Sequence, residues 1–142
     1  MFKIKSEVQF DMAHYLSGYE GKCSNIHGHR YKLIAKLKSE KLHQDGQLRG
    51  MVDDFGNFKN ILKEIAETFD HKLIIENNEN GKALVKNLEE LQNDFNIYLV
   101  DYRPTAEEMS RDIFNRLKAK GLSVCEVELF ETPNNSCIYT ED

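Results

Sequence analysis

The sequence predicts an α+β fold, an antiparallel four-stranded sheet with two main helices packed on one face. Three observations carry that prediction. Segments near both ends of the chain alternate apolar and polar residues with period two, as half-buried strands do. Two segments in the middle repeat apolar residues at spacings of three and four, as amphipathic helices do. The order is strand, strand, helix, short elements, helix, strand, strand, which gives two hairpins separated by helices. Edges of such a sheet are often covered by subunit assembly.

The first strand spans 2–13, with Phe2, Ile4, Val8, Phe10 and Met12 alternating and a bulge expected near Ser6. Residues 15–25, with Gly18, Gly21 and Asn25, read as a loop. The second strand spans 27–39, with Tyr31, Leu33, Ala35 and Leu37 sharing a face with His27 and His29. Asp45-Gly46 marks a turn. Asp53-Asp54 opens a helix carrying Phe55, Phe58, Ile61, Leu62, Ile65, Ala66 and Phe69, its acids placed where the helix dipole favours them. Leu73-Ile74-Ile75 is a short apolar run, and 76–82 reads as a mobile loop. A short helix fits within 84–95, and Ile97 to Val100 reads as a short strand. Pro104-Thr105 opens the second main helix, which Gly121 ends. Residues 122–132 and 137–139 are the last two strands, with Cys125, Val127 and Leu129 on one face.

A chain of 142 residues is long enough to bury one core, so 1–142 is read as a single domain. The apolar fraction of 40% with 30% charged residues is that of a soluble globular protein. A formal net charge of -5 argues against a nucleic-acid partner, which calls for a basic footprint. An anionic small molecule remains compatible, because it needs only a local cluster of donors. The odd count of three cysteines, without a signal peptide or long apolar run, points to reduced thiols in the cytoplasm and to no membrane partner.

The chemistry concentrates in Cys23-Ser24-Asn25-Ile26-His27-Gly28-His29. Side chains two apart on a strand share a face, so His27 and His29 project together with Gly28 leaving room between them. If the first two strands pair, His14 joins them. Three imidazoles with an open fourth position are the donor set of a catalytic zinc, whereas structural zinc is closed by four ligands. Read blandly, each histidine is a hydrogen-bonding or capping residue. A cation held there would lower the Cys23 thiol pKa and make it a base or nucleophile. Asp70-His71 is a candidate acid/base pair or a plain helix C-terminus. Glu131 falls on the apolar period of its strand, but the strand is expected to fray before Pro133 and turn this carboxylate to water. Thr105 and Glu107 read as a helix N-cap and a first-turn acid.

His14, then Cys23-x-x-x-His27-Gly28-His29, Met51-Val52 with Asp54-Phe55, Asp70-His71, Pro104-Thr105-x-Glu107, and Glu131-Thr132 leading to Tyr139 together resemble the 6-pyruvoyltetrahydropterin synthase family. The three-residue gap after Cys23 is similar to that of its bacterial 6-carboxytetrahydropterin synthases, which act in queuosine precursor synthesis. The resemblance implies a T-fold (tunnelling fold), a homohexamer built as a dimer of trimers, and active sites between subunits. It implies 7,8-dihydroneopterin triphosphate as substrate, with 6-carboxy-5,6,7,8-tetrahydropterin, acetaldehyde and triphosphate as products. By the same resemblance His14, His27 and His29 are ligands of Zn2+, Cys23 abstracts a proton, and Asp70 with His71 is its acid/base partner. Glu131 then anchors the pterin ring, with Thr105 and Glu107 lining the pocket, which reverses the solvent reading of Glu131. The chain departs from the family at Leu73 to Asn77, where Leu-Asn is common, and in the long segment between His71 and Pro104. Rival readings are an enzyme that stops at 6-pyruvoyltetrahydropterin, a non-catalytic metal- or pterin-binding T-fold protein, and a zinc-stabilised interaction module.

Overall fold

The computed structural model describes residues 1–142. Six strands form one sheet in the order β4-β3-β1-β2-β5-β6. They are β1 (Phe2–His14), β2 (His27–Ser39), β3 (Lys72–Glu76), β4 (Ile97–Val100), β5 (Val124–Thr132) and β6 (Asn135–Thr140). The expected antiparallel set is present as β1, β2, β5 and β6. Two further strands enlarge it, because β3 pairs parallel to β1 and β4 parallel to β3. Parallel pairs need a crossover, and the segment between β3 and β4 supplies one.

The β1–β2 ladder runs without interruption from Phe2↔Ser39 to His14↔His27. The bulge expected near Ser6 is therefore absent; Ser6 sits opposite Ala35 and keeps the alternation of Ile4 and Val8. The register shifts fall elsewhere, at Lys36/Leu37 against β5 and at Phe130/Thr132 against β6.

Two helices cover the inner face. α1 (Phe55–Phe69) is capped by Asp54, whose carboxylate accepts from the amides of Gly56 and Asn57. It buries Phe58, Leu62, Ile65 and Phe69. The other, Ala106–Ala119, buries Met109, Ile113, Phe114 and Leu117. Against them lie Phe10, Met12, Tyr31, Leu33, Ala35, Leu37, Val127 and Leu129, the inward residues of three strands.

Residues 76–82 are not the open loop that their polarity implies. α2 (Glu79–Leu91) begins there, with the Asn78 carboxamide accepting from the Gly81 amide at 2.7 Å. The helix at Ala106–Ala119 is thus α3. Ile74 shares the inner face with His14, so Ile75 points to the opposite one. Ile75 is nevertheless fully buried, because Gly81 of α2 rests directly on it. The crossover helix accordingly packs on the outer face.

Candidate functional site

The inner end of the β1–β2 ladder brings the three histidines together. His14 stands directly opposite His27, and His29 lies two residues further along β2, opposite Met12. Ring centroids are 4.6 Å apart for His14 and His27, 5.4 Å for His14 and His29, and 4.9 Å for His27 and His29. One ring nitrogen from each lies within 4.8 Å of the others, close enough for one ion to bridge.

Hydrogen bonds to main-chain carbonyls orient two of the rings. His14 Nδ1 is 2.7 Å from the Pro104 carbonyl, and His27 Nδ1 is 2.7 Å from the Asn25 carbonyl. With Nδ1–H donating in each, Nε2 carries the lone pair and is free to ligate. His29 Nε2 is buried and makes no hydrogen bond, since Glu131 Oε1 at 3.4 Å approaches it outside hydrogen-bonding geometry. A buried ring nitrogen left unpaired costs about 1–3 kcal/mol, so an electron-pair acceptor at this point would remove the penalty. Burial depresses the pKa of His14 and of His29, outweighing the opposing pull of Glu131 on each. Both are therefore neutral at physiological pH, the form in which imidazole binds metals. The donor set, its tautomers and the orphaned nitrogen all fit a divalent cation.

Tyr31 closes the base of the cluster. It is fully buried, and its hydroxyl lies 3.4 Å from His14 Nε2. Burial, with Glu131 nearby, drives its pKa far above the ordinary tyrosine value, so it stays neutral. Glu131 does not turn to water. β5 continues through Thr132, and the carboxylate points inward, with Oε1 3.4 Å from His29 Nε2 and Oε2 3.9 Å from His14 Nε2.

The remaining candidates lie outside the cluster. Cys23 is half-buried in a 3-10 turn, Lys22–Ser24, and its carbonyl accepts from the Leu16 amide at 2.8 Å. Its thiol is not among the groups gathered at the histidines. Thr105 caps α3, its hydroxyl accepting from the Glu108 amide, and Glu107 is a first-turn acid. The cap has a second consequence, since it fixes the turn whose Pro104 carbonyl orients His14.

Asp70 and His71 form a second cluster with Asp11, at the edge where β1 meets β3. His71 Nδ1 is 2.9 Å from Asp70 Oδ2. The hydrogen bond that His71 Nδ1–H donates to Asp70, and then the charge of Asp70, raise the His71 pKa. Desolvation pushes Asp70 up, but the Asp11 amide and His71 outweigh it and hold the carboxyl below its usual range. Beside the pair lies a cavity of about 600 Å³, walled by Ala13, Gly28, Arg30, Lys72, Leu88 and Phe95.

Sequence patterning brings the three histidines to one face but does not reveal the groups that orient them. The carbonyls of Pro104 and Asn25 have no signature in residue type. Asp11 and Arg30 are visible only once the β1–β2 register is known.

A mixed sheet that brings three imidazoles together, one of them with a buried Nε2 that makes no hydrogen bond, forms a candidate site for a divalent cation. The profile of the family described as 6-pyruvoyl tetrahydropterin synthase matches residues 3–142, and the chain belongs to that family. It is 42% identical over 144 residues to a 6-carboxy-5,6,7,8-tetrahydropterin synthase of Haemophilus influenzae, covering 99% of this chain and 100% of that one. Among solved structures, an uncharacterised protein from Wolinella succinogenes superposes with a TM-score of 0.78 at 21% identity, covering 99% and 98% of the two chains. The 6-pyruvoyl tetrahydropterin synthase of Caenorhabditis elegans gives 0.67 at 24% identity, covering 99% and 96%. These two support the fold; the family match and the Haemophilus relative make this chain a lyase of the 6-carboxytetrahydropterin synthase kind.

Proposed function

We propose that this chain is a zinc-dependent 6-carboxytetrahydropterin synthase. In this reading it converts 7,8-dihydroneopterin triphosphate to 6-carboxy-5,6,7,8-tetrahydropterin, acetaldehyde and triphosphate, a step toward the queuosine precursor. The observation that carries it is the inner cluster, where His29 Nε2 is buried and unpaired beside His14 and His27. Those three residues would hold Zn2+, which when bound supplies Lewis-acid stabilisation of charge on oxygen.

The chain's own residues then divide the work. Cys23, as thiolate, takes a proton from a side-chain carbon of the substrate. His71, charged more readily because Asp70 holds its Nδ1–H, offers its Nε2 proton as general acid and recovers one as base. Glu131 accepts hydrogen bonds from the amidine-like edge of the ring, and Thr105 with Glu107 lines that pocket. The Asp70–His71 pair stands in a cluster separate from the histidines. The reading therefore assembles each site from more than one copy, in a hexamer made of two trimers, with the outer strands β4 and β6 as the joining edges. It places the enzyme in the cytoplasm, where its three free cysteines stay reduced.

The test is incubation of zinc-loaded protein with 7,8-dihydroneopterin triphosphate, assaying acetaldehyde and the mass of the pterin product. Acetaldehyde with a carboxypterin is expected, and Cys23→Ala abolishes it. A pyruvoyl product reassigns the reaction, and a folded, metal-loaded protein without turnover ends the proposal.

A further inference from the structure

We propose that Asp11 and Arg30 are positioning residues that hold the Asp70–His71 pair against the sheet. The proposal rests on the acid/base reading of that pair given above. Asp11 grips both partners through its main chain. Its amide donates to Asp70 Oδ1 at 3.0 Å, and its carbonyl accepts from the His71 amide at 2.6 Å. His71 has φ 57, a left-handed conformation that a residue with a Cβ adopts only when its surroundings impose it. The bond to the Asp11 carbonyl is part of what imposes it.

Arg30 fixes Asp11 in turn. The two are direct cross-strand partners on the outer face. Arg30 Nη1 lies 2.8 Å from Asp11 Oδ2, and Arg30 Nε donates to Gln9 Oε1 at 3.0 Å, so the guanidinium is held at two points. Arg30 follows His29 directly in β2. The strand that presents imidazoles inward thus presents, one residue on, the cation that anchors the acid/base turn outward.

An ordinary surface ion pair contributes little, because both side chains are solvated and screened. What sets this one apart is its place between two hydrogen bonds that define the conformation and charge of His71. The charged groups facing His71 are Asp70 on its own turn, Asp11 on β1 and Arg30 on β2, while Lys72 at the start of β3 turns its ammonium over the Tyr98 ring. The crossover contributes Leu88, Phe95 and Asn96, which carry no charge. Asp11 and Arg30 act on the imidazole with opposite sign, the first favouring its protonated form and the second opposing it.

The experiment is an NMR titration of the His71 ring in the metal-loaded full chain, without substrate, for wild type, Arg30→Gln, Asp11→Asn and Arg30→Lys. Arg30→Gln moves the His71 pKa up, Asp11→Asn moves it down, and Arg30→Lys returns it toward wild type. Turnover of 7,8-dihydroneopterin triphosphate by Arg30→Gln falls roughly threefold to tenfold in kcat with little change in KM, as expected for loss of orientation alone. A general structural defect does not move one pKa in opposite directions in two variants. The proposal is overturned if His71 titrates alike in all four proteins, or shifts the same way in both neutralised variants. If wild type turns over no pterin, the lyase reading fails while the titration still decides whether Asp11 and Arg30 govern His71.

Discussion

Replacing Gly81 by alanine sets two effects of opposite sign against each other, and the geometry decides between them. Gly81 lies in the first turn of α2, where alanine is intrinsically favoured over glycine by about 1 kcal/mol. A Cβ built at this position meets the Glu76 carbonyl oxygen at 2.0 Å, Ile75 Cγ2 at 2.8 Å and the Glu76 carbonyl carbon at 3.2 Å. Ordinary contact begins at 3.4 Å, so α2 must move by more than an ångström relative to the end of β3. The obstacle is backbone and cannot rotate away. Overpacking of this kind costs roughly 1–3 kcal/mol, and a rigid obstacle puts the cost at the upper end. The net expectation is a loss of about 2 kcal/mol, equivalent to a fall in Tm of about 4–8 °C for a chain of this size. Equilibrium urea unfolding followed by circular dichroism measures it. A midpoint that rises or stays put would refute the close seating of α2 on Ile75, and with it the placement of the crossover on the outer face.

Three further substitutions or conditions test the site. His29→Ala removes the unpaired buried nitrogen, so the metal-free protein should lose little stability while zinc affinity, read by competition with a chelating dye, falls at least about 100-fold. Equal loss of metal-free stability and affinity would show that His29 is mainly structural. Thr105→Ala should cost about 1 kcal/mol in urea unfolding through loss of the α3 cap, and should also weaken zinc binding through the Pro104 carbonyl; an unchanged affinity would uncouple the cap from His14. The metal-free protein should lose stability below the ordinary histidine value of 6.5. Its buried His14 and His29 resist protonation that the unfolded chain accepts, so the unfolded state binds more protons there. His71 opposes this, since Asp70 raises its pKa, but its side chain is 74% exposed and solvent screens its contribution. A Tm that does not fall from about pH 7.5 to about pH 5.5 would contradict the neutral burial of His14 and His29.

The antiparallel strands and both main helices were legible because each buries one face, so burial writes a period into the sequence. Phe10, Met12, His14 and His27, His29, Tyr31 are inward on β1 and β2 as alternation requires. β3 and β4 were harder to place. Leu73-Ile74-Ile75 is apolar on both faces, because α2 covers the outer one, and a continuous apolar run carries no information about pairing or direction. The later part of α2 is legible in the spacing of Leu84, Leu88 and Leu91, but its first turn reads as loop for a related reason. Among its residues only Gly81 is buried, so its polarity resembles that of a loop, and only the Asn78 cap marks its start.

For the site, spacing sufficed to gather the three histidines but not to fix their chemistry. His-x-His on a strand implies two imidazoles on one face in any context. Whether they ligate depends on which nitrogen is left free, and that is decided by the carbonyls of Pro104 and Asn25. A carbonyl is present at every residue, so only the fold can select these two. The same holds for the candidate acid/base pair, whose dipeptide Asp70-His71 is ambiguous alone. Its meaning comes from the Asp11 peptide that bonds both partners and from the positive φ that those bonds support. Both clusters thus end on β1, His14 at its inner terminus and Asp11 three residues earlier on the outer face. The ladder to β2 runs unbroken over the full length of β1, so the register that sets His14 against His27 also sets Asp11 against Arg30.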